Sequence, residues 1–212
     1  MPLSQNSATH RSVAEIIAQY GHAARKRLQP FFELAEIAYP PRDAILLAMK
    51  DEKKLELWAS DGGDFNYIRS YKIRKTSGKR GPKLREGDRQ IPEGVYQIVK
   101  LNPNSAYHLS MKLDYPNAFD LLHAEQEGRE QPGSNIFIHG KAVSIGCLAM
   151  GDAAIEELFV LTENIGMEHV SVVIAPYDPR HRPLHVDPLR MPRWTDELYR
   201  IITGEFLKYK HP

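Results

Sequence analysis

Between Ser134 and Met150 the chain reads Ser-Asn-Ile-Phe-Ile-His-Gly-Lys-Ala-Val-Ser-Ile-Gly-Cys-Leu-Ala-Met, and this stretch gathers the residues best suited to covalent chemistry. Cys147 is the only cysteine in 212 residues, and His139 lies eight positions before it, at the end of the apolar run Ile136–Ile138. A free cysteine, with a pKa of about 8.5, holds only a few per cent thiolate at neutral pH, so a thiol nucleophile needs a neighbouring base. The pattern predicts that His139 takes the thiol proton and returns it to a leaving amine. The N–H groups of Gly146 and Cys147 are the expected donors to a developing oxyanion. A thiol used in this way is expected to have a lowered pKa. Eight fully extended steps would separate the two residues by roughly 26 Å, so the chain must double back. Gly140 is expected to make a sharp turn closed to other residues, with Gly146 completing the reversal. The competing reading makes Cys147 a buried small hydrophobe and His139 a hydrogen-bonded strand-end residue.

The stretch resembles the catalytic signature of the YkuD-type L,D-transpeptidase family, in which a His-Gly on a strand precedes a Ser-x-Gly-Cys loop. His139, Gly140, Ser144, Gly146 and Cys147 match residue for residue. The usual family form has His between the Ser and the Gly, and Arg or Asn two places after the Cys. Here those positions are Ile145 and Ala149, and the His-to-Cys gap is shorter. In these respects the chain is similar to a divergent branch that includes the proteobacterial enzyme cutting the link between lipoprotein and peptidoglycan.

The resemblance runs from about Asp43 to Pro176 and implies a β-rich catalytic sandwich with no cofactor and no metal. It implies His139 as base and Cys147 as the acylated nucleophile, with the Gly140 carbonyl or Ser144 orienting the imidazole. The implied reaction is attack on a peptide carbonyl at the meso-diaminopimelate of a peptidoglycan stem, followed by hydrolysis that releases an envelope lipoprotein. Cross-linking transpeptidation is the alternative, and a catalytically idle peptidoglycan-binding module is a third reading. The implied partners are peptidoglycan stem peptides and peptidoglycan-linked lipoprotein, in the periplasm. Lys83, Arg85 and Lys141 are the basic residues expected to meet stem-peptide carboxylates.

Composition permits this without demanding it. Apolar residues make up 42% of the chain and charged residues 26%, which is ordinary globular usage, and a net charge of +1 argues against a surface built wholly for nucleic acid or anionic membrane. A single cysteine excludes an internal disulfide framework and a Cys-rich zinc site. No stretch approaches the roughly 18 to 20 apolar residues of a membrane span, and Met1–Arg11 lacks an apolar signal core, so an envelope location implies a mature form whose signal has been removed.

The elements that must position the site follow from pattern. Three parts are expected: an N-terminal helical segment and connection over 1–42, a catalytic domain over 43–178, and a C-terminal loop and helix over 179–212. Ser12-Val-Ala-Glu15 has the form of a capping box opening a helix over about 12–28, and Pro30, Pro40 and Pro41 predict a connection after it. Ala44–Met49 and Leu55–Ala59 predict a hairpin, with further strands near Tyr67–Ile73, Val95–Val99 and Val170–Ala175, the last buried in the sheet centre. Lys72–Arg85 holds seven Lys or Arg residues and three breakers, hence an exposed loop; no aromatics are interleaved for stacking on nucleic acid. Alternation on a strand through Tyr107–Ser110 makes Tyr107 and His108 candidate pocket residues. Asn117–Glu127 predicts a helix leading into an excursion that overhangs the site. Asp152 is the expected N-cap of a helix ending near Gly166. His181, His185 and Asp187 form a cluster that Pro179, Pro183 and Pro188 keep off a helix, so a surface loop is expected rather than a metal site. A last helix begins at Trp194. The fold class is α+β, a β-rich catalytic domain flanked by N- and C-terminal helices.

Overall fold

The computed structural model describes residues 10–143 and 146–210. Eight strands form one curled sheet in the order β3-β2-β1-β8-β4-β5-β6-β7. They are β1 (Asp43–Met49), β2 (Lys54–Ser60), β3 (Asn66–Lys72), β4 (Gly94–Asn102), β5 (Ser110–Leu113), β6 (Phe137–His139), β7 (Leu148–Ala149) and β8 (Val170–Ala175). Four helices accompany them: α1 (Val13–Leu34), α2 (Ala118–Gln126), α3 (Asp152–Ile165) and α4 (Thr195–Phe206). The sheet nearly closes on itself. Beyond β3 the chain reaches β7, where Lys75 bridges Ala149 and the Arg74 N–H donates to the Ala149 carbonyl at 2.7 Å.

The near-continuous apolar sequence of β1, Asp-Ala-Ile-Leu-Leu-Ala-Met, fits a strand covered on both faces. Ala44, Leu46 and Ala48 enter a core shared with α1 and α3, while Ile45, Leu47 and Met49 enter a second core against α4. β8 lies between β1, to which it is parallel, and β4, so its apolar run is central as expected. The first core gains an ionic staple at Glu157 of α3, which accepts from Arg27 of α1 at 2.7 Å, Arg69 of β3 at 2.9 Å and the Tyr71 hydroxyl at 3.0 Å. A buried carboxylate demands such partners. Glu93 plays the same part for the loop before β4, accepting from Lys50 at 2.8 Å, the Gly81 N–H at 3.0 Å and Tyr199 of α4 at 2.8 Å.

Three local expectations are corrected. The first helix opens on the Ser12–Glu15 capping box but runs through Pro30 to Leu34. The missing N–H and ring clash cost about 3 kcal/mol, whereas burying an aromatic side chain returns about 1.5–3 kcal/mol. Phe32 is fully buried beyond the proline, and the Phe31 ring receives the Arg69 guanidinium at 4.2 Å. Tyr107–Leu109 is not a strand, because His108 has φ +76° and β5 begins only at Ser110. α3 is capped by Gly151 rather than Asp152, whose carboxylate instead accepts the Lys141 N–H at 2.8 Å. Among the described residues, no helix is long and apolar enough to cross a membrane.

Candidate active site

His139 ends β6 and Cys147 immediately precedes β7, and the two strands run parallel with Ile138 opposite Leu148 and His139 opposite Ala149. Continuing that register one step back places Cys147 opposite Phe137. Side chains alternate along a strand, so Phe137, His139, Cys147 and Ala149 share one face. With strands about 4.8 Å apart and a rise of about 3.3 Å per residue, His139 and Cys147 are diagonal neighbours about 8 Å apart by Cα, within reach of an imidazole leaning along the strand. The eight-residue separation is thus folded into adjacency. Ser144, also matched to the signature, and Ile145 lie outside the described residues.

The imidazole is buried, 2% exposed, and its Nδ1 lies 2.7 Å from the Gly140 carbonyl oxygen. A carbonyl can only accept, so Nδ1 carries the hydrogen and Nε2 of the neutral ring is left with the lone pair. That is the tautomer of a general base. Tyr107 covers the ring, with centroids 4.6 Å apart at 34°, and is itself 42% exposed. Burial depresses the His139 pKa, only partly opposed by the Gly140 bond, so the ring is neutral at pH 7.

The thiol departs from expectation. Burial pushes the Cys147 pKa up, against smaller lowering effects from the Phe137 N–H and from the charge of Lys83. The sulfur is half-buried and lies 3.9 Å from the Asn135 carbonyl, which accepts from the S–H form. The expected low-pKa thiol is therefore corrected, because desolvation outweighs the single positive charge. Burial thus favours the neutral form of both the thiol and the imidazole.

The two flanking glycines serve different purposes. Gly140 does not occupy the left-handed region expected of it. Its role is close packing: an added Cβ would stand 2.6 Å from the Tyr107 carbonyl and 2.8 Å from the Asp152 carboxylate. The left-handed turn falls instead on Lys141, at φ +55°. Gly146 does need its freedom, at φ +94°. Its N–H, proposed from sequence as an oxyanion donor, is already engaged by the Ser77 hydroxyl at 2.7 Å. Ser77 is a site residue that sequence reasoning missed, and nothing about one serine in a basic loop could have singled it out. Gly140→Ala is expected to destabilise the protein by about 1–3 kcal/mol through overpacking. Chemical unfolding measures this, and an unchanged midpoint would show that the Tyr107 turn yields without cost.

The residues expected to bind substrate separate. Lys83 is buried, its ammonium held by the Asp88 carboxylate and, at 2.9 Å, by the Arg85 carbonyl. It is therefore corrected from a carboxylate ligand to an internal charge near the sulfur. Arg85 is exposed and lines a cleft with Arg129 and Arg190. Tyr107 packs on the His139 ring. His108 does not: its Nε2 lies 3.0 Å from Glu156 and its ring meets Tyr20 edge-on at 5.3 Å, in the seam between α1 and α3. Lys141 is exposed, with its ammonium on the Ala106 carbonyl at 3.0 Å. In the tail, His181 lies 3.6 Å from Asp178, the His185 N–H donates to the Tyr177 hydroxyl, and Asp187 pairs with Arg190. Among the described residues, no three His, Cys, Asp or Glu side chains are grouped to hold a metal ion.

The curled sheet thus ends one strand on a buried histidine and carries a half-buried cysteine just before the paired strand. The chain belongs to the YkuD family, described as the L,D-transpeptidase catalytic domain, whose profile matches residues 43–174. It is 38% identical over 133 residues to the Escherichia coli K12 protein named "Putative L,D-transpeptidase YafK", covering 60% of this chain and 52% of that one, and the same figures hold for the O157:H7 protein. The chain thus spans about half the length of these relatives. Among solved structures, the helical cell shape determining protein Pgp2 from Campylobacter jejuni aligns with a TM-score of 0.54 at 21% identity, covering 80% of this chain and 56% of its own, which shows a shared fold.

Proposed function

We propose that this chain is a thiol-dependent hydrolase of peptidoglycan amide bonds at meso-diaminopimelate, acting in the periplasm to release covalently attached lipoprotein. The observation that carries the reading is the His139 tautomer, with Nδ1 donating to Gly140 and Nε2 left with the lone pair, at the end of the strand that pairs with the one Cys147 precedes. Nε2 takes the thiol proton as Sγ attacks the scissile carbonyl carbon, giving a tetrahedral adduct. The C–N bond then breaks and the amine departs with the proton from the imidazolium, leaving a thioester on Cys147. Water, deprotonated by Nε2, attacks that thioester; the carboxylic acid leaves and the thiol recovers its proton. An amine in place of water would make the same intermediate a transpeptidation. A chain that edits wall attachments also bears on cell shape, the property for which the Campylobacter neighbour is named.

Incubating the protein with purified sacculi that carry bound lipoprotein, and identifying products by mass, tests the reading. Freed lipoprotein and unlinked diaminopimelate ends are expected. New stems joined diaminopimelate to diaminopimelate would instead establish the transpeptidase, and association with sacculi without any product would establish the idle binder.

A further inference from the structure

Three segments far apart in sequence converge on one cleft of about 740 Å³: the basic loop at Arg80–Gln90, the excursion at Gly128–Gln131, and the tail at Arg190–Pro192. It contains neither Cys147 nor His139. Four guanidinium groups line it, those of Arg80, Arg85, Arg129 and Arg190, against two carboxylates, Asp88 and Glu130. Asp88 is already committed to the buried Lys83 ammonium and to the N–H groups of Leu84, Arg85 and Gln90. Arg80 is paired with Asp51 and Arg129 with Glu127. Arg190 reaches Asp187 only at 3.5 Å with its side chain 79% exposed. Arg85 is exposed and makes no ion pair among the described residues. Two exposed guanidinium groups, those of Arg85 and Arg190, are therefore left at the cleft beside Glu130, with Leu84, Met191 and Pro192 as apolar lining.

The cleft is mechanically joined to the nucleophile. The Gln90 side chain lines it and donates to the Lys79 and Gly81 carbonyls at 2.6 Å, while the carbonyl of the same residue faces Gly146, 3.7 Å from where a Cβ would stand. Lys83, bonded to the Arg85 carbonyl, packs directly on Gly133, two residues before the Asn135 carbonyl that meets the sulfur. The lining includes no Phe, Tyr or Trp, so it lacks the stacking surface that single-stranded nucleic acid uses. Guanidinium groups over aliphatic side chains suit a peptide bearing several carboxylates.

We propose that this arginine cleft is a second substrate subsite, holding a carboxylate-bearing stretch of the peptidoglycan stem beyond the scissile amide; the identity of that ligand rests on the function proposed above. The subsite contributes binding and leaves the chemistry to the thiol and imidazole.

The test measures binding of a soluble disaccharide tetrapeptide to the full chain carrying Cys147→Ser, with and without the pair Arg85→Gln and Arg190→Gln, and with hexaglutamate as a second probe. Both arginines are exposed, so the pair is expected to fold normally. The expected result is affinity for the muropeptide that weakens about tenfold or more in the arginine variant and falls with salt. In the active enzyme the same pair raises KM for the muropeptide and leaves kcat unchanged. Equal muropeptide affinity with and without the arginines overturns the proposal, as does hexaglutamate binding more tightly than the muropeptide, which would point to an acidic protein partner. Arginine-dependent muropeptide binding in a wild-type chain that releases nothing from sacculi would defeat the hydrolase reading and leave the subsite standing.

Discussion

Cys147→Ser lowers the release of product from sacculi by about 10⁴-fold or more, the scale on which nucleophile removal acts when the other groups depend on it. The reason lies in the state of the base. Burial favours the neutral, weakly basic form of His139, and because a hydroxyl is far less acidic than a thiol, the same imidazole would assist proton removal from serine much less effectively. The substitution is nearly isosteric at a half-buried position just before β7, so the thermal midpoint should move by no more than a few degrees. Single-turnover release measured beside the melting curve separates chemistry from folding. A serine variant retaining a tenth of the wild-type rate would mean that another residue forms the covalent bond.

His139→Gln is the second large effect, with turnover reduced by about 10²–10⁴-fold. Its pH profile is more diagnostic than its size. The wild-type rate falls in acid as Nε2 takes up a proton, and because burial depresses the imidazole pKa, the midpoint lies below the usual histidine value. The glutamine variant has no such limb. Stability follows the same group. The unfolded chain binds the proton more readily than the folded one, so between the ordinary imidazole pKa and the lower folded value the free energy of unfolding decreases as pH falls. At neutral pH and above, this loss is absent. His139→Gln removes that slope, and unfolding curves on the acid side of neutrality check it. A wild-type acid limb that persists in the variant would assign the titration elsewhere.

Much of the architecture was legible because it rests on local patterns. The apolar runs at Ala44–Met49 and Val170–Ala175 mark strands that the sheet must cover on both faces, and they sit at its centre. Ser12 and Glu15 cap their helix as the sequence form requires. The path of α1 through Pro30 was not legible, because it depends on Phe32 finding a pocket between elements far along the chain. The same holds for His108, whose polar partner on α3 lies 48 residues away and turns it from the site into the helix seam.

At the site, sequence alone supplied the candidate pair, a lone cysteine and a strand-end histidine, with the resemblance of the surrounding residues to the family signature tipping the choice from inert packing to chemistry. Tertiary structure decided their protonation and surroundings. Whether a thiol is acidic depends on how much water is removed around it against how many charges approach, and here burial prevails over Lys83. Which cations remain open to a ligand depends on acids folded in beside them: Asp88 and a main-chain carbonyl consume Lys83, while Arg85 is left facing a cleft assembled from three distant segments. Desolvation and charge pairing are sums over neighbours in space, and that is why residue order could name the candidate atoms but not set their protonation.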